Sequence, residues 1–156
     1  SGVRDAELAR TRAEDSSDLE AFMTGPRLHT LEGIVQTTPV KLELDRMTGR
    51  FYGEFLWENS WEGQWHRHHY GVHDEPVCWT QIGYACGYAS AFMGRPILFK
   101  EVECAGMGNP NCRIIGRPAR FWALERFLEH VRGHGSAIWV ARRLDIARHW
   151  ARHHPA

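Results

Sequence analysis

The sequence predicts an α+β domain: a small antiparallel sheet with packed helices, a structural zinc subdomain and a C-terminal helical linker. Two stretches around a turn at 47–49 alternate apolar and polar residues, as strands with one buried face do. A later stretch, 75–93, carries small and aromatic residues at helical spacing. Two further strand-like stretches enclose a loop rich in glycine and asparagine that has a cysteine at either end, Cys104 and Cys112.

Composition limits the classes of protein to which the chain can belong. Its 156 residues, 43% hydrophobic, suffice for one compact domain with a core. The formal net charge is zero, so no overall basic field favours nucleic acid, and a small-molecule or protein partner is expected. No apolar stretch reaches the length of about 18 residues that a membrane span needs. We therefore expect a soluble, cytoplasmic protein, and, since the chain starts without Met, a part of a longer one.

The first twenty residues are polar and predict either an unstable helix or a dimerisation arm. After them, a β-hairpin is predicted over 40–57. Alternation places Phe51, Phe55 and Trp57 on one face of its second strand. Gly53 lies between them, and we expect the gap that it leaves to admit a flat ligand.

Two helices are predicted after the hairpin. Ser60 is positioned to cap a short helix that runs through His69, and Asp74 to cap a longer one that ends near Met93. On the longer helix an aromatic side chain recurs at every fourth residue, a pattern that favours core packing: Tyr84, Tyr88 and Phe92. Strands are then expected over 97–104 and 112–115, and helices over 121–131 and 137–153.

The cysteines predict a zinc site, with reduced buried thiols as the alternative. Cys78 and Cys86 stand eight residues apart in the predicted helix, which is about 12 Å along its axis. Sulfurs bound to one zinc ion lie within about 4 Å of each other, so the two cannot share an ion. We favour Cys78, because the first turn of a helix stabilises a thiolate. Cys86 is interpreted as a buried apolar residue.

Cys78, Cys104 and Cys112 leave one zinc position to fill, and two carboxylates stand near Cys104. We favour Glu101 as the fourth ligand, although a regular strand would point it away from Cys104, so that a bend is required. Spacing alone leaves Glu103 open. Four protein ligands leave no position for water, so the zinc is expected to be structural.

Five stretches of the chain resemble the amino-terminal sensory domains of sigma-54-dependent, NtrC-type transcription activators of phenol catabolism, the aromatic-binding, vinyl-reductase-like type. The resemblance covers about residues 18–119. It is carried by RLHTLEG at 27–33, TGRFYGEFLW at 48–57, SWEGQW at 60–65, GYACGYASAFMGR at 83–95 and FKEVECAGMGNPNCRIIG at 99–116.

The resemblance implies a structural zinc site and a buried pocket for phenol or a substituted phenol. The implied zinc ligands are Cys78, Glu101, Cys104 and Cys112. A histidine and a tryptophan of the family, here His29 and Trp57, hydrogen-bond the phenol hydroxyl. For the apolar wall, the resemblance and the periodicity of the strand and helix faces together nominate Phe22, Phe55, Tyr88 and Phe99.

The implied function is a sensor that relieves the inhibition of a downstream ATPase domain in the same polypeptide. We expect an N-terminal arm over 1–20, the aromatic-binding sensory domain over 21–119, and a linker or tail over 120–156, where the resemblance fails. A homodimer is expected, with no direct contact to nucleic acid and no membrane partner. The alternatives are a zinc-containing enzyme that acts on vinyl or phenolic compounds, which no nucleophile–base pair supports, and a pure dimerisation module.

Overall fold

A computed structural model describes residues 2–12, 17–138 and 141–153. Its helices are α1 (Gly2–Arg12), α2 (Asp18–Phe22), α3 (Thr24–Leu31), α4 (Trp61–Tyr70), α5 (Trp79–Met93), α6 (Ala119–Gly133) and α7 (Arg143–His153). Its strands are β1 (Gln36–Asp45), β2 (Arg50–Glu58), β3 (Ile97–Glu103) and β4 (Cys112–Pro118). The chain forms two compact units, one ending at Trp122 and one beginning at Ala123. The predicted α+β class, with a small antiparallel sheet and packed helices, is confirmed.

The sheet has the order β1-β2-β4-β3, and each neighbouring pair is antiparallel. Strand β2 follows the alternation predicted for it, burying one face and half-exposing the other. On the half-exposed face, the Glu54 carboxylate accepts a hydrogen bond from Arg113 of β4 at 2.6 Å. The buried face meets the helices in an aromatic core. Its centre is Phe22, whose ring lies 5.3–5.5 Å from the rings of Phe51, Tyr88 and Phe92.

The expectation that a flat ligand fits beside Gly53 is wrong. A Cβ atom built on Gly53 would lie 3.0 Å from the Phe55 ring and 3.1 Å from the Phe51 ring. The two phenyl rings therefore fill the space that the missing side chain leaves.

Helix α4 begins and ends as predicted, whereas α5 begins later than predicted. The Ser60 hydroxyl accepts a hydrogen bond from the Gly63 amide at the start of α4. Helix α5 starts at Trp79 with Cys78 as its N-cap, not after Asp74. The physical reason is a cap from the neighbouring helix: the Glu62 carboxylate of α4 accepts hydrogen bonds from the amides of Thr80 and Gln81.

The first helix, α1, packs against α5 with its small residues. Ala6 and Ala9 are buried, and a Cβ atom built on Gly2 would lie 2.8 Å from the carbonyl oxygen of Tyr84. Residues 2–12 are thus a helix within the first compact unit. Part of the predicted N-terminal arm, 13–16, lies outside the described residues.

The second unit contains most of α6 and, after a 3-10 turn at Gly135–Ala137, α7. The predicted helix over 137–153 is wrong at its start, because α7 begins at Arg143, where the Arg142 side chain binds the Asp145 carboxylate at 2.8 Å. Part of the predicted span, 139–140, is outside the described residues. Among the helices of the described residues, none is both long enough and apolar enough to cross a membrane.

Candidate functional site: a thiol cluster and an aromatic cavity

Three thiols and one carboxylate meet in the first compact unit. The ligand atoms of Cys78, Glu101, Cys104 and Cys112 all lie within 4.8 Å of one another. The Cys78 sulfur lies 3.7 Å from that of Cys112 and 3.9 Å from that of Cys104. These separations are far too long for disulfides. They match the spacing of about 3.8 Å between sulfurs that bind one tetrahedral zinc ion at about 2.3 Å each.

A bulge in β3 brings Glu101 to the thiols. The register of β3 against β4 shifts between Glu101 and Glu103, so that one extra residue, Val102, bends the strand. This is the bend that the choice of Glu101 required. Glu103 instead points to Arg113, whose guanidinium lies 3.4 Å from its carboxylate. The structure thus places Glu101, and not Glu103, beside the three thiols.

Each of the three sulfurs also has a hydrogen-bond partner outside the cluster. The Gly106 amide donates to Cys104 at 3.3 Å and the Ala105 amide to Cys112 at 3.2 Å. The Ser60 hydroxyl lies 3.2 Å from the sulfur of Cys78. Donors around a sulfur favour its thiolate form, which is the form that binds metal.

The protonation states of the three thiols depend on one another. Hydrogen bonds from Cys112 and Cys78 lower the pKa of Cys104 far below its ordinary value, while the same contacts to Cys104 raise the pKa of Cys78 and of Cys112. Burial raises the pKa of Glu101 to about 7. A cation bound among these groups would lower the pKa of every ligand that coordinates it and so allow all of them to ionise. Moreover, within the described part of the chain, Glu101 Oε1 is buried without a hydrogen-bond partner, as expected of a metal-ligand atom.

Cys86 lies apart from this cluster, as the helix spacing required. Its sulfur accepts a hydrogen bond from the Phe99 amide at 3.1 Å and thereby ties α5 to β3.

A cavity of about 30 Å³ lies between the sheet and helices α3 and α5. It is lined by Phe22, Gly25, Pro26, His29, Thr37, Phe55, Trp57, Tyr84, Ala85, Tyr88, Phe99 and Ile114. All six residues nominated from the sequence line this one cavity. Sequence reasoning did not nominate the other six. Among these six, Tyr84 alone carries a signal in the sequence, because it belongs to the aromatic residues that recur at every fourth position of the longer predicted helix.

Two of the lining side chains, those of His29 and Trp57, bring polar groups to this otherwise largely apolar cavity. His29 lies in the last turn of α3 and Trp57 near the end of β2, and they are only 4% and 2% exposed. Their ring centroids are 6.5 Å apart. Burial lowers the pKa of His29, against an opposing effect of the Asp5 charge. His29 is therefore neutral near pH 7, so one of its ring nitrogens can accept a hydrogen bond, while the Trp57 indole can only donate one.

Tyr88 anchors α3 at the edge of the cavity. Its hydroxyl accepts from the Gly25 amide at 3.1 Å and donates to the Phe22 carbonyl at 3.0 Å. A Cβ atom on Gly25 would lie 2.5 Å from the Tyr88 ring, so a residue without a side chain is needed there.

We expect Gly25→Ala to push the Tyr88 ring away from α3 and to destabilise the domain by about 1–3 kcal/mol, the usual cost of overpacking. Thermal unfolding measures this. Gly83→Ala is the matched control, since a Cβ atom on Gly83 would meet nothing within 4 Å. Equal melting temperatures for the two variants would contradict this account of Gly25.

Two family models match the chain. Residues 1–45 match the model described as "Activator of aromatic catabolism", and residues 57–118 match the V4R domain. The chain is 41% identical over 121 residues to the phenol regulator MopR of Acinetobacter guillouiae and 43% identical over 122 residues to the transcriptional regulatory protein XylR of Pseudomonas putida. Each alignment covers 78% of this chain, which spans only 22% of either relative.

A solved structure agrees with these sequence matches. The phenol-responsive sensory domain of the transcription activator PoxR, determined with phenol, is 54% identical and superposes with a TM-score of 0.73. The match covers 75% of this chain and 58% of that one. The comparisons indicate a regulatory domain rather than the enzyme that was the alternative. The chain is an amino-terminal sensory domain of the family of sigma-54-dependent transcription activators of aromatic catabolism.

Proposed function

We propose that the chain binds phenol or a substituted phenol in the cavity between α3, α5 and the sheet. The observation that carries this proposal is that two buried side chains with polar groups, His29 and Trp57, line one cavity with aromatic walls. The indole of Trp57 donates a hydrogen bond to the phenol oxygen, and a ring nitrogen of neutral His29 accepts a hydrogen bond from the phenol hydroxyl. A buried hydroxyl left without partners would cost about 1–3 kcal/mol, so the pair favours phenols over unsubstituted rings.

The aromatic ring of the ligand packs among apolar side chains. Phe22, Phe55, Tyr88 and Phe99 provide the walls. The volume of about 30 Å³ is room for about two water molecules, which is less than phenol occupies. Binding therefore includes an outward movement of lining side chains, and the ligand shifts the domain toward a more open arrangement of the cavity.

Cys78, Glu101, Cys104 and Cys112 hold one structural zinc ion. Three thiolates with one carboxylate are a donor set that zinc accepts in tetrahedral geometry. The four ligands come from the start of α5, from β3 and its following turn, and from β4. The ion thus ties together two of the strands and the helix that also line the cavity. When bound, the ion would cross-link these elements and would take no part in binding or converting phenol.

The output of the sensor is the control of an ATPase domain in the longer protein. Phenol binding relieves the inhibition of that domain, which then activates transcription, and the protein acts in the cytoplasm. A ligand can shift such an equilibrium only by its difference in affinity for the two states. The identities of 41–43% to MopR and XylR, which are far longer than this chain, support this reading.

The functional unit is a homodimer. Support for a dimer comes from α6. Its residues Leu124 and Leu128 are 53% and 51% exposed, and they are spaced like the apolar contact residues of two paired helices. Sedimentation of the wild type and of Leu124→Glu tests this: a dimer that the substitution dissociates is expected, and a wild type that sediments as a monomer at high concentration would contradict it.

Calorimetric titration with phenol tests the proposed function. We expect the wild type to bind and His29→Ala to lose binding by tenfold or more, since the phenol proton loses its buried acceptor. His69→Ala on the exposed part of α4 is the matched control and should bind as the wild type does. If His29→Ala binds phenol as tightly as the wild type does, the role assigned to His29 is contradicted. If the wild type does not bind phenol, the proposed function is contradicted.

A further inference from the structure

Tyr84 connects the cavity to the first helix of the domain. Its ring lies on the cavity wall, with its centroid 4.0 Å from that of the His29 ring. The ring is also stacked against that of Tyr88, at 6.0 Å between centroids and 11° between planes. Its hydroxyl donates a hydrogen bond to the Asp5 carboxylate of α1 at 3.1 Å. These three contacts together hold the orientation of the Tyr84 ring.

Asp5 reaches Tyr84 only because α1 lies close against α5. The neighbouring residue Ala6 is fully buried, and a Cβ atom on Gly2 would come within 2.8 Å of the α5 backbone. A helix held this closely fixes the position of its side chains.

We infer that Asp5 and Tyr84 are positioning residues of the phenol site. Asp5 holds the hydroxyl of Tyr84, and Tyr84 in turn holds the imidazole of His29 in the orientation in which it accepts the phenol proton. The inference rests on the proposed function, because it assigns the two residues to the binding of the same ligand.

The arrangement couples the docking of α1 to ligand binding. If docked α1 favours the binding-competent orientation of His29, then phenol must stabilise docked α1 by the same factor, since coupling between two sites is reciprocal. Helix α1 is therefore an element through which the domain reports the occupancy of its cavity.

A double-mutant cycle tests the inference. We expect Tyr84→Phe, which keeps the ring and removes the hydroxyl, to weaken phenol binding in calorimetry by roughly three- to tenfold, as the loss of one hydrogen bond does. Asp5→Ala should have the same effect. The double variant should bind no more weakly than either single variant, because both substitutions break one link.

Two further variants separate positioning from a structural role. Asp5→Asn keeps an acceptor for the Tyr84 hydroxyl and should retain most of the affinity. Glu7→Ala removes an exposed carboxylate from the same helix and should bind as the wild type does. Amide hydrogen exchange gives a second readout: phenol should slow the exchange of α1 in the wild type, and less so in Tyr84→Phe.

The outcomes distinguish this inference from the function on which it rests. A wild type that does not bind phenol would overturn both. If the wild type binds and Asp5→Ala matches Glu7→Ala, or if the losses in the double variant simply add, the positioning role is overturned and the proposed function stands.

Discussion

Cys104→Ala is expected to abolish zinc binding and to unfold the domain. Metal analysis of the purified wild type should give one zinc per chain, and the variant should retain little. A structural zinc site in a small domain contributes about 10–16 kcal/mol. The whole stability of a domain is about 5–15 kcal/mol, so the loss of the ion is of the same size as the total and is expected to unfold the domain.

The position of Cys104 explains why the expected loss of stability is so large. It is fully buried, it caps the 3-10 turn Ala105–Met107, and its sulfur lies 3.9 Å from that of Cys78. Removal of its thiolate leaves the other ligands as unneutralised, buried groups. A chelator should therefore unfold the wild type as well, with circular dichroism as the readout.

Cys86→Ala is the matched control for this experiment. It removes a half-buried thiol that bonds to the Phe99 amide rather than to the cluster. We expect a cost of about 1 kcal/mol and full retention of zinc. Equal losses of zinc in the two variants, or a wild type with less than half a zinc per chain, would contradict the assignment of the metal centre.

Trp57→Phe is expected to weaken phenol binding by about 10- to 100-fold. The substitution keeps an aromatic ring on the cavity wall and removes the indole N–H that we propose as the donor to the phenol oxygen. A polar ligand group that loses its partner in a buried site pays about 1–3 kcal/mol. Calorimetry measures the effect directly.

The control for Trp57 is another tryptophan of the same chain. Trp61→Phe changes a side chain that is 57% exposed at the start of α4 and should leave phenol affinity unchanged. Thermal unfolding separates binding from folding, because buried Trp57 also fills core volume. Wild-type affinity in a folded Trp57→Phe protein would contradict the role of the indole.

The sequence could predict the sheet and the thiol set because each depends on short-range spacing. The alternation of apolar and polar residues predicts which face of β2 is buried. The separation of eight residues along the helix indicates that Cys86 cannot share a metal ion with Cys78. Spacing alone could favour Glu101 but could not exclude Glu103, because the choice depends on a bulge opposite Arg113. A regular strand points Glu101 away from Cys104, and no local pattern marks the extra residue.

The cavity wall could be predicted only where a resemblance or a strong periodicity marked it. Thr37 comes from β1 and Pro26 from α3, and they meet the rest of the wall only through tertiary packing. The start of α5 was misplaced for a similar reason: its cap, Glu62, belongs to another helix. Residues that act across elements leave no signature in their own segment.

A crystal structure of the domain with phenol tests the central claim most directly. We predict the ligand in the cavity, with its oxygen within about 3.2 Å of both the Trp57 indole nitrogen and a ring nitrogen of His29. Its ring should contact Phe22, Phe55, Tyr88 and Phe99. Phenol bound elsewhere, or bound in this cavity with its hydroxyl away from both residues, would contradict the account.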